Sequence, residues 1–148
     1  MVEGAFALTM EDCPEEERGI ELPSGEDLIV GLKNGLDLWK IYNNDALVGG
    51  AMISVKENAT AFLELLFIAD AAEGKGIGAQ AWETIENAYP EIKIWETVTP
   101  CFLKRNIHFY VNKCGFYIVA YHNKWNPIME NGKPSEDEMF AFRKEIAR

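Results

Sequence analysis

The residues with the clearest capacity for chemistry lie between an apolar run and a helix-like stretch in the middle of the chain. Residues 73–78 read Glu-Gly-Lys-Gly-Ile-Gly, with Gly74, Gly76 and Gly78 at alternate positions. Glycine permits positive φ and lets a ligand approach the backbone closely. A strand that leads through such a loop into a helix presents amide N–H groups at the positive end of the helix dipole, an arrangement that binds phosphate. The loop therefore predicts a phosphate cradle, in which Lys75 can offset phosphate charge.

Two common phosphate-binding motifs do not match this loop. The P-loop requires a Gly-Lys-Ser/Thr ending, which does not follow here. The dinucleotide fingerprint requires a further glycine where Ala79 or Gln80 stands, within a parallel βαβ pattern. A tight turn between a strand and a helix remains the alternative interpretation of the glycines.

Further candidates for chemistry lie on either side of the loop. Downstream, residues 106–116 read Asn-Ile-His-Phe-Tyr-Val-Asn-Lys-Cys-Gly-Phe. Asn106 and Tyr110 are four residues apart, so on a helix their side chains project from one face. A tyrosine in this position can donate a proton, or it can be a buried ring with a satisfied hydroxyl. Upstream, Glu64 is the charged interruption of the apolar run 61–68.

The elements that must position these residues follow from hydrophobic periodicity. Strands are predicted at 36–42, 46–55, 60–68, 92–97, 116–122 and 139–144, and helices at 79–89 and 106–113, with a short one near 24–35. Pro90 and Gly115 mark the ends of the two longer helices. The order of three strands, a helix, a strand, a helix and two strands favours a mixed α+β sheet over a doubly wound one.

Composition limits the classes of function. The chain has 148 residues and 48% hydrophobic content, so we expect a single domain over 1–148. Its formal net charge of −10 argues against a nucleic-acid partner, and is compatible with a cationic substrate or simply with solubility. No apolar stretch reaches membrane-spanning length, the N-terminus lacks a signal-peptide pattern, and the three cysteines have no metal-site spacing. We therefore expect a cytoplasmic protein without a metal or a membrane partner.

The glycine loop and the 106–116 stretch together resemble two motifs of the GCN5-related N-acetyltransferase (GNAT) superfamily. The family's R/Q-x-x-G-x-G/A motif begins here at Glu73, with the frequent G-K-G-I-G core. The downstream matches are Asn106, Phe109, Tyr110, Gly115 and Phe116. The stretch Met-Phe-Ala-Phe-Arg-Lys-Glu at 139–145 resembles the family's closing strand. The resemblance spans 36–145, and residues 1–35 form a shortened or divergent N-terminal part.

This resemblance implies a fold and a cosubstrate. The fold is α+β, with a central, mostly antiparallel and splayed sheet flanked by helices. Acetyl-CoA is the implied acyl donor, and its acetyl group passes directly to a primary amine. The implied CoA contacts are the backbone of a strand end, the glycine loop and the downstream helix. By residue these are Phe67, Ile68, Glu73, Gly74, Lys75, Gly76, Ile77, Gly78, Asn106 and Phe109.

The resemblance also implies which side chains carry the chemistry. Tyr110 protonates the departing CoA thiolate as a general acid. Because an ammonium cannot attack a carbonyl, a base must take the amine proton, and Glu64, Glu96 or a water chain can do so. Glu64 stands four residues before Ile68 and is therefore expected on the same face of the strand. The alternative for both carboxylates is a solvent-facing or salt-bridged position.

Three questions stay open at this stage. The acceptor can be a small amine, such as an amino-acid derivative, a polyamine or an aminoglycoside, or an amine of a peptide or protein. The protein can instead be a non-catalytic acyl-CoA-binding or regulatory module on the same fold, and a homodimer is compatible with either. Glu73 stands where the family expects Arg or Gln, so its carboxylate predicts a modestly weakened affinity for CoA.

Overall fold

The computed structural model describes residues 36–43, 46–69 and 76–147. In chain order its elements are β1 (Leu36–Asn43), β2 (Ala46–Val55), β3 (Thr60–Ile68), helix α1 (Ile77–Ala88), β4 (Ile94–Pro100), helix α2 (Lys104–His108), a π-helical turn (Phe109–Lys113), β5 (Tyr117–His122), β6 (Met129–Glu130), β7 (Lys133–Pro134) and β8 (Met139–Glu145). The short helix predicted near 24–35 lies outside the described residues. Neither α1 nor any other helix within them is long and apolar enough to cross a membrane.

The six longer strands form one sheet in the order β1-β2-β3-β4-β8-β5, and β6 and β7 form a separate small hairpin. All neighbours in the large sheet are antiparallel except β3 and β4, which are parallel. The prediction of a mixed, mostly antiparallel α+β sheet is therefore confirmed. The β6–β7 hairpin was not predicted, because its two-residue strands are too short to show periodicity.

The parallel pair β3–β4 is joined at one end only. Its register runs from Thr60 opposite Ile94 to Phe62 opposite Glu96. Beyond these pairs both strands continue in the same direction without further pairing to each other, so a gap opens toward their C-terminal ends. The splayed sheet implied by the resemblance is thus present, and the gap opens at the C-terminal end of β3.

Helix α1 packs over one face of the sheet. Its buried residues are Ile77, Trp82 and Ile85, whose spacing places them on one side of the helix. Trp82 meets Trp95 of β4 edge to face, with ring centroids 4.9 Å apart. Strand residues of the same core include Trp39, Ile41, Ala51, Ile53, Ala61, Leu63, Leu66 and Phe142. Each buried side chain of this size contributes about 1.5–3 kcal/mol, so the start of α1 is held firmly against the opened strands.

The predicted helix at 106–113 is a regular α-helix only in its first half. Helix α2 ends at His108, and Phe109–Lys113 is π-helical. The Cys114 N–H donates to the Phe109 carbonyl, five residues back, at 3.0 Å. The prediction of one regular helix here is wrong, because apolar spacing does not distinguish bonds to the fourth residue back from bonds to the fifth. Single π-helical turns occur frequently at functional sites.

Candidate active site

The opened edge of β3 presents peptide groups toward β4. The Ala69 N–H donates to the Val48 carbonyl at 2.7 Å, continuing the ladder with β2. Because peptide groups alternate in direction along an antiparallel ladder, Phe67 also points its N–H and C=O at β2, while Leu66 and Ile68 point theirs into the gap. An open strand edge of this kind can hydrogen-bond an extended chain that carries amides.

The two strand-end residues named from the sequence therefore have different surroundings. Ile68 lies at the gap, whereas the backbone of Phe67 belongs to the β2–β3 ladder opposite Gly50. Leu66 is a gap residue that the sequence analysis missed. The sequence of the apolar run does not show whether the peptide groups of Leu66 or those of Phe67 face the gap. That depends on how β3 pairs with β2.

Glu64 occupies a β-bulge. The pairing with β2 passes from Leu63 to Leu65 across adjacent β2 residues, which leaves Glu64 without a strand partner. Since an extra residue breaks the two-residue alternation, the spacing of four does not place Glu64 on the face of Ile68, and that expectation is wrong. The Glu64 side chain is exposed to solvent, but partial desolvation by its neighbours raises the pKa of its carboxyl above the ordinary value, and the Lys56 ammonium opposes this change. Bulges next to active sites re-aim side chains in this way.

The start of α1 brings the two sequence motifs together. Gly76 caps the helix at a φ of 75°, in the left-handed region where side chains cause strain. A side chain at Gly78 would place its Cβ 3.0 Å from the Phe109 ring and 3.6 Å from Cγ1 of Ile68. Gly78, the aromatic residue of the second motif and the end of β3 thus converge at one point. Three predicted loop residues, Glu73, Gly74 and Lys75, lie outside the described part of the chain.

Gly49 is a further residue of this junction that the sequence analysis did not single out. It lies on β2 opposite Ile68, and a Cβ there would collide with the Phe67 carbonyl oxygen and come within 3.1 Å of the Ile68 Cα. Its bare backbone lets β2 approach β3 closely where β3 opens toward the gap. The available signal was the Gly-Gly pair at 49–50, because glycine inside a strand marks a close backbone approach.

Two buried threonines line β4 where it separates from β3. Thr97 and Thr99 are 2% and 3% exposed. The Thr97 hydroxyl donates to the Leu63 carbonyl at 2.8 Å, and the Asn106 side-chain amide donates to the Thr99 hydroxyl oxygen at 3.3 Å. These contacts satisfy polar groups that would otherwise be buried without a partner. They also fix Asn106 at the β4 side of the gap.

Tyr110 lies in the core beneath this junction. It is 5% exposed, and its ring packs against Phe116 and Phe142 with centroids 5.7 and 5.6 Å away. The preceding ring, Phe109, is 5.5 Å from it and reaches the backbone of Gly78. The π-helical turn therefore directs one ring to the glycine loop and the next into the core. The role of Tyr110 as a proton donor stays a prediction.

Glu96, the other candidate base, has a structural partner. It lies opposite Arg143 of β8, and its carboxylate forms an ion pair with the Arg143 guanidinium at 3.4 Å. Both side chains are partly exposed. This is the salt-bridged strand position that the sequence analysis gave as the alternative to a catalytic role. Glu64 occupies the solvent-facing alternative, but the pKa of its carboxyl is raised.

An ion pair with little exposure joins three elements behind the site. Lys144 of β8 contacts Glu86 of α1 at 2.6 Å, and its ammonium donates to the Cys114 carbonyl at 2.7 Å, just after the π-helical turn. The two charged side chains are 23% and 16% exposed. Gly115, at a φ of 84°, leaves room for Lys144, whose nearest atoms would be 3.5 Å from a Cβ there. Lys144 thereby ties the helix of the glycine loop to the turn that carries Tyr110.

The cysteine and metal-binding side chains show no second reactive centre within 36–43, 46–69 and 76–147. No group of His, Cys, Asp and Glu side chains in these ranges is arranged to hold a metal ion. Burial raises the pKa of the Cys114 thiol to about 12, and burial together with Glu138 raises the pKa of Cys101. Both thiols therefore stay protonated at neutral pH, which makes them poor nucleophiles.

Comparison with known sequences identifies the family. A sequence profile described as the acetyltransferase (GNAT) family matches residues 5–116, which is most of the chain. The chain belongs to the GNAT acetyltransferase family. The match includes the glycine loop, the gap between β3 and β4, and the π-helical turn of this GNAT protein.

This GNAT chain also resembles individual proteins along most of its length. It is 37% identical over 155 residues to YrkN of Bacillus subtilis (strain 168), covering 95% of this chain and 82% of YrkN. A Bacillus subtilis acetyltransferase solved in complex with CoA aligns with a TM-score of 0.66 and 22% identity, covering 84% of this chain and 86% of its own. A GNAT acetyltransferase from Elizabethkingia anophelis with acetyl-CoA bound aligns with a TM-score of 0.64 and 23% identity, covering 84% of each chain. Both structures share the GNAT fold with this protein.

Proposed function

We propose that this GNAT protein transfers the acetyl group of acetyl-CoA directly to a primary amine. The observation that carries the proposal is the opened edge of β3. There Leu66 and Ile68 offer peptide groups to an extended chain, next to the glycine-rich start of α1. CoA presents a pantetheine arm with amides and, joined to it, a pyrophosphate, which are the two partners these features suit.

The described residues fit CoA at both places. The amide N–H groups at the start of α1 and the helix dipole favour a pyrophosphate beside Gly76 and Gly78. The missing side chain at Gly78 leaves the backbone in contact with Phe109 and Ile68, so the phosphate site adjoins the strand edge. Two relatives with this fold carry CoA or acetyl-CoA, which supports the same cosubstrate here.

The proposed reaction joins the amine nitrogen to the acetyl carbon and breaks the carbon–sulfur bond. Glu64, directly or through water, takes the proton that the ammonium must lose before it attacks. The Leu66 N–H in the gap donates to the thioester carbonyl oxygen and stabilises the negative charge that develops there. The Tyr110 hydroxyl gives its proton to the departing sulfur, so CoA leaves as a thiol. The phenolate then recovers, directly or through water, the second proton that the nitrogen loses as it becomes an amide.

A non-catalytic acyl-CoA-binding module is the second candidate function. The buried position of Tyr110 favours it, because a ring packed between Phe116 and Phe142 serves the core whether or not its hydroxyl transfers a proton. Such a module would use the same strand edge and glycine loop for binding. The two candidates therefore differ only in whether the thioester is cleaved in the presence of an amine.

Thermal unfolding with CoA and acetyl-CoA, followed by thiol release over classes of amines, tests the proposal. Acetyl-CoA at about 100 times its Kd should stabilise the protein by about 2.7 kcal/mol. Gly78→Val, whose side chain would press on Phe109, should lose most of that stabilisation, while Ala88→Val, exposed at the opposite end of α1, should keep it. A thermal shift without thiol release supports the binding module. The absence of any shift overturns both candidates.

The rate should depend on the ionisation of Glu64. A base acts when deprotonated, and partial desolvation raises the pKa of this carboxyl, so activity should rise with pH through the raised value and then level off. Glu64→Gln should lower kcat about 100-fold and remove that acidic limb. Glu96→Gln serves as the matched control and should keep the limb. If a pH–rate profile of Glu64→Gln retains the full limb, the base is another group.

The raised pKa of Glu64 also makes a prediction for folding, with a definite sign. The native state binds this proton more tightly than the unfolded chain does. The contribution of Glu64 to the free energy of unfolding is therefore fully present below the unfolded-state pKa and is lost as pH rises through the native pKa. Glu64→Gln removes that loss, so its Tm relative to wild type should increase from acidic to neutral pH.

A further inference from the structure

We propose that the acceptor is a small amine that carries a second positive charge, and that Trp125 and the acidic connection between β5 and β8 hold that charge. This inference rests on the proposed acetyl transfer and adds the chemical class of the acceptor. It starts from the connection between β5 and β8, residues 123–138, whose side chains take no part in the core or in the proposed CoA site.

A dense set of hydrogen bonds fixes the turn that carries Trp125. The Asn123 side-chain oxygen accepts from the N–H of Trp125 at 3.0 Å and from the N–H of Asn126 at 3.2 Å. The Asn126 N–H also donates to the Asn123 carbonyl at 3.1 Å, and the Asn126 side-chain amide donates to the Tyr121 carbonyl at 3.0 Å. These bonds fix the backbone on both sides of Trp125, and the indole is presented outward.

The indole of Trp125 is exposed and already holds a cation. It is 79% exposed, which costs free energy because an indole is largely apolar. The Lys124 ammonium lies 4.4 Å from the centroid of the Trp125 ring. The negative face of an aromatic ring attracts cations, and tryptophan does so most strongly. Lys124 therefore shows which ligand chemistry the ring accepts, and the opposite face of the ring is suited to a second ammonium.

This turn lies at the end of the sheet where β3 and β4 part. Met139 begins β8 opposite both His122 of β5 and Pro100 of β4, so the turn after His122 stands near the C-terminal end of β4. Strand β5 is two strands from β4, which is about 10 Å at the usual strand spacing. An extended eight-carbon diamine has a comparable length, so one end can enter the gap while the other reaches the turn.

Charge at the connection favours a cation over an anion. Its sequence contains four carboxylates, Glu130, Glu136, Asp137 and Glu138, against two lysines, Lys124 and Lys133. The Glu138 carboxylate accepts from the Tyr121 hydroxyl at 2.9 Å, and the Glu138 carbonyl accepts from the Cys101 N–H at 2.9 Å. The second of these bonds places Glu138 directly beside the end of β4. The reacting nitrogen must be neutral to attack, so a charge held here belongs to a second group of the acceptor.

Paired acceptors and paired variants test the inference with the full-length protein. The probes are the eight-carbon α,ω-diamine and the eight-carbon amino-alcohol, in which a hydroxyl replaces the second ammonium. For wild type, kcat/KM for the diamine should exceed that for the amino-alcohol about tenfold at low salt, and added salt should reduce this ratio. Trp125→Leu should bring the ratio down to about two, the statistical factor that the diamine's two equivalent amines give, and Trp125→Phe should retain most of the wild-type ratio. The KM for acetyl-CoA should not change in either variant.

The contrary results are equally specific. A wild-type ratio near the statistical factor of about two, or a loss in Trp125→Leu that is the same for both probes, shows that the second charge is not held at Trp125. Thiol release with lysine-containing peptides but with neither small probe overturns the inference in favour of a protein acceptor, and leaves the proposed acetyl transfer intact. Absence of thiol release with every class of amine overturns the inference and the acetyl transfer together.

Discussion

Replacing Tyr110 with Phe should lower kcat for CoA release by about 100-fold or more, which is the usual contribution of a positioned general acid. The variant keeps the ring that packs against Phe116 and Phe142, so the fold and the KM for acetyl-CoA should stay close to those of the wild type. Steady-state thiol release at neutral pH measures kcat, and thermal unfolding confirms the fold.

Tyr117→Phe is the matched control for this change. Tyr117 is exposed on the edge strand β5, and its hydroxyl donates to Glu145 at 2.7 Å, away from the gap. The control removes one hydroxyl from one ring and should leave kcat unchanged. A Tyr110→Phe variant that is as active as this control shows that the thiolate takes its proton from another source. The same activity would be seen if the thiolate leaves without any proton donor, and in that case too Tyr110 is not the general acid.

Replacing Lys144 with Met should produce the largest loss of stability. The change removes the Lys144 ammonium from the Glu86 carboxylate, whose side chain is 16% exposed, and it removes the donor to the Cys114 carbonyl. Breaking a buried ion pair on one side costs about 3–5 kcal/mol, because the remaining charge stays poorly solvated. Urea unfolding measures the change as a lower midpoint, and a constant slope shows that the transition itself is the same.

A double variant distinguishes two causes of the lost stability, the remaining charge of Glu86 and the loss of side-chain packing at Lys144. Lys144→Met combined with Glu86→Met removes both charges and should recover much of the stability that Lys144→Met loses, as isosteric apolar replacement of an ion pair often does. Lys144→Arg keeps the charge and should be the mildest of the three. If the double variant is less stable than Lys144→Met by the full cost of a second core substitution, the two residues are not coupled.

Some parts of the site could be predicted from the sequence because the local backbone conformation there requires a particular residue type. Gly76 needs positive φ, and Gly78 needs a backbone that Phe109 can touch, so both show as glycines in a short loop. Strand β3 was predicted with the bounds it has, since an apolar run between two turns reads as a buried strand. The glycine loop and the 106–116 stretch, taken in order, were enough to indicate the family.

Other parts of the site depend on neighbours that the sequence does not place. The bulge at Glu64 arises from the pairing of β3 with β2, so the sequence of β3 alone does not reveal it. Because of the bulge, Glu64 does not lie on the same face as Ile68, which the spacing of four residues had suggested. The partnership of Lys144 with Glu86 joins residues far apart in sequence, and each alone reads as an ordinary surface charge. The π-helical turn at 109–113 has the same apolar spacing as a regular helix.

The sequence by itself determined the order of the six longer strands and the helical segments, the family, and the residue types that can cradle phosphate or move a proton. It could do so because periodicity, turn residues and short motifs are properties of neighbouring positions along the chain. Only the tertiary structure decided that Leu66 and Ile68, and not Phe67, turn their peptide groups into the gap between β3 and β4. The physical reason is that a strand offers both of its edges equally until a partner strand occupies one, and the partner is chosen by contacts across the whole fold.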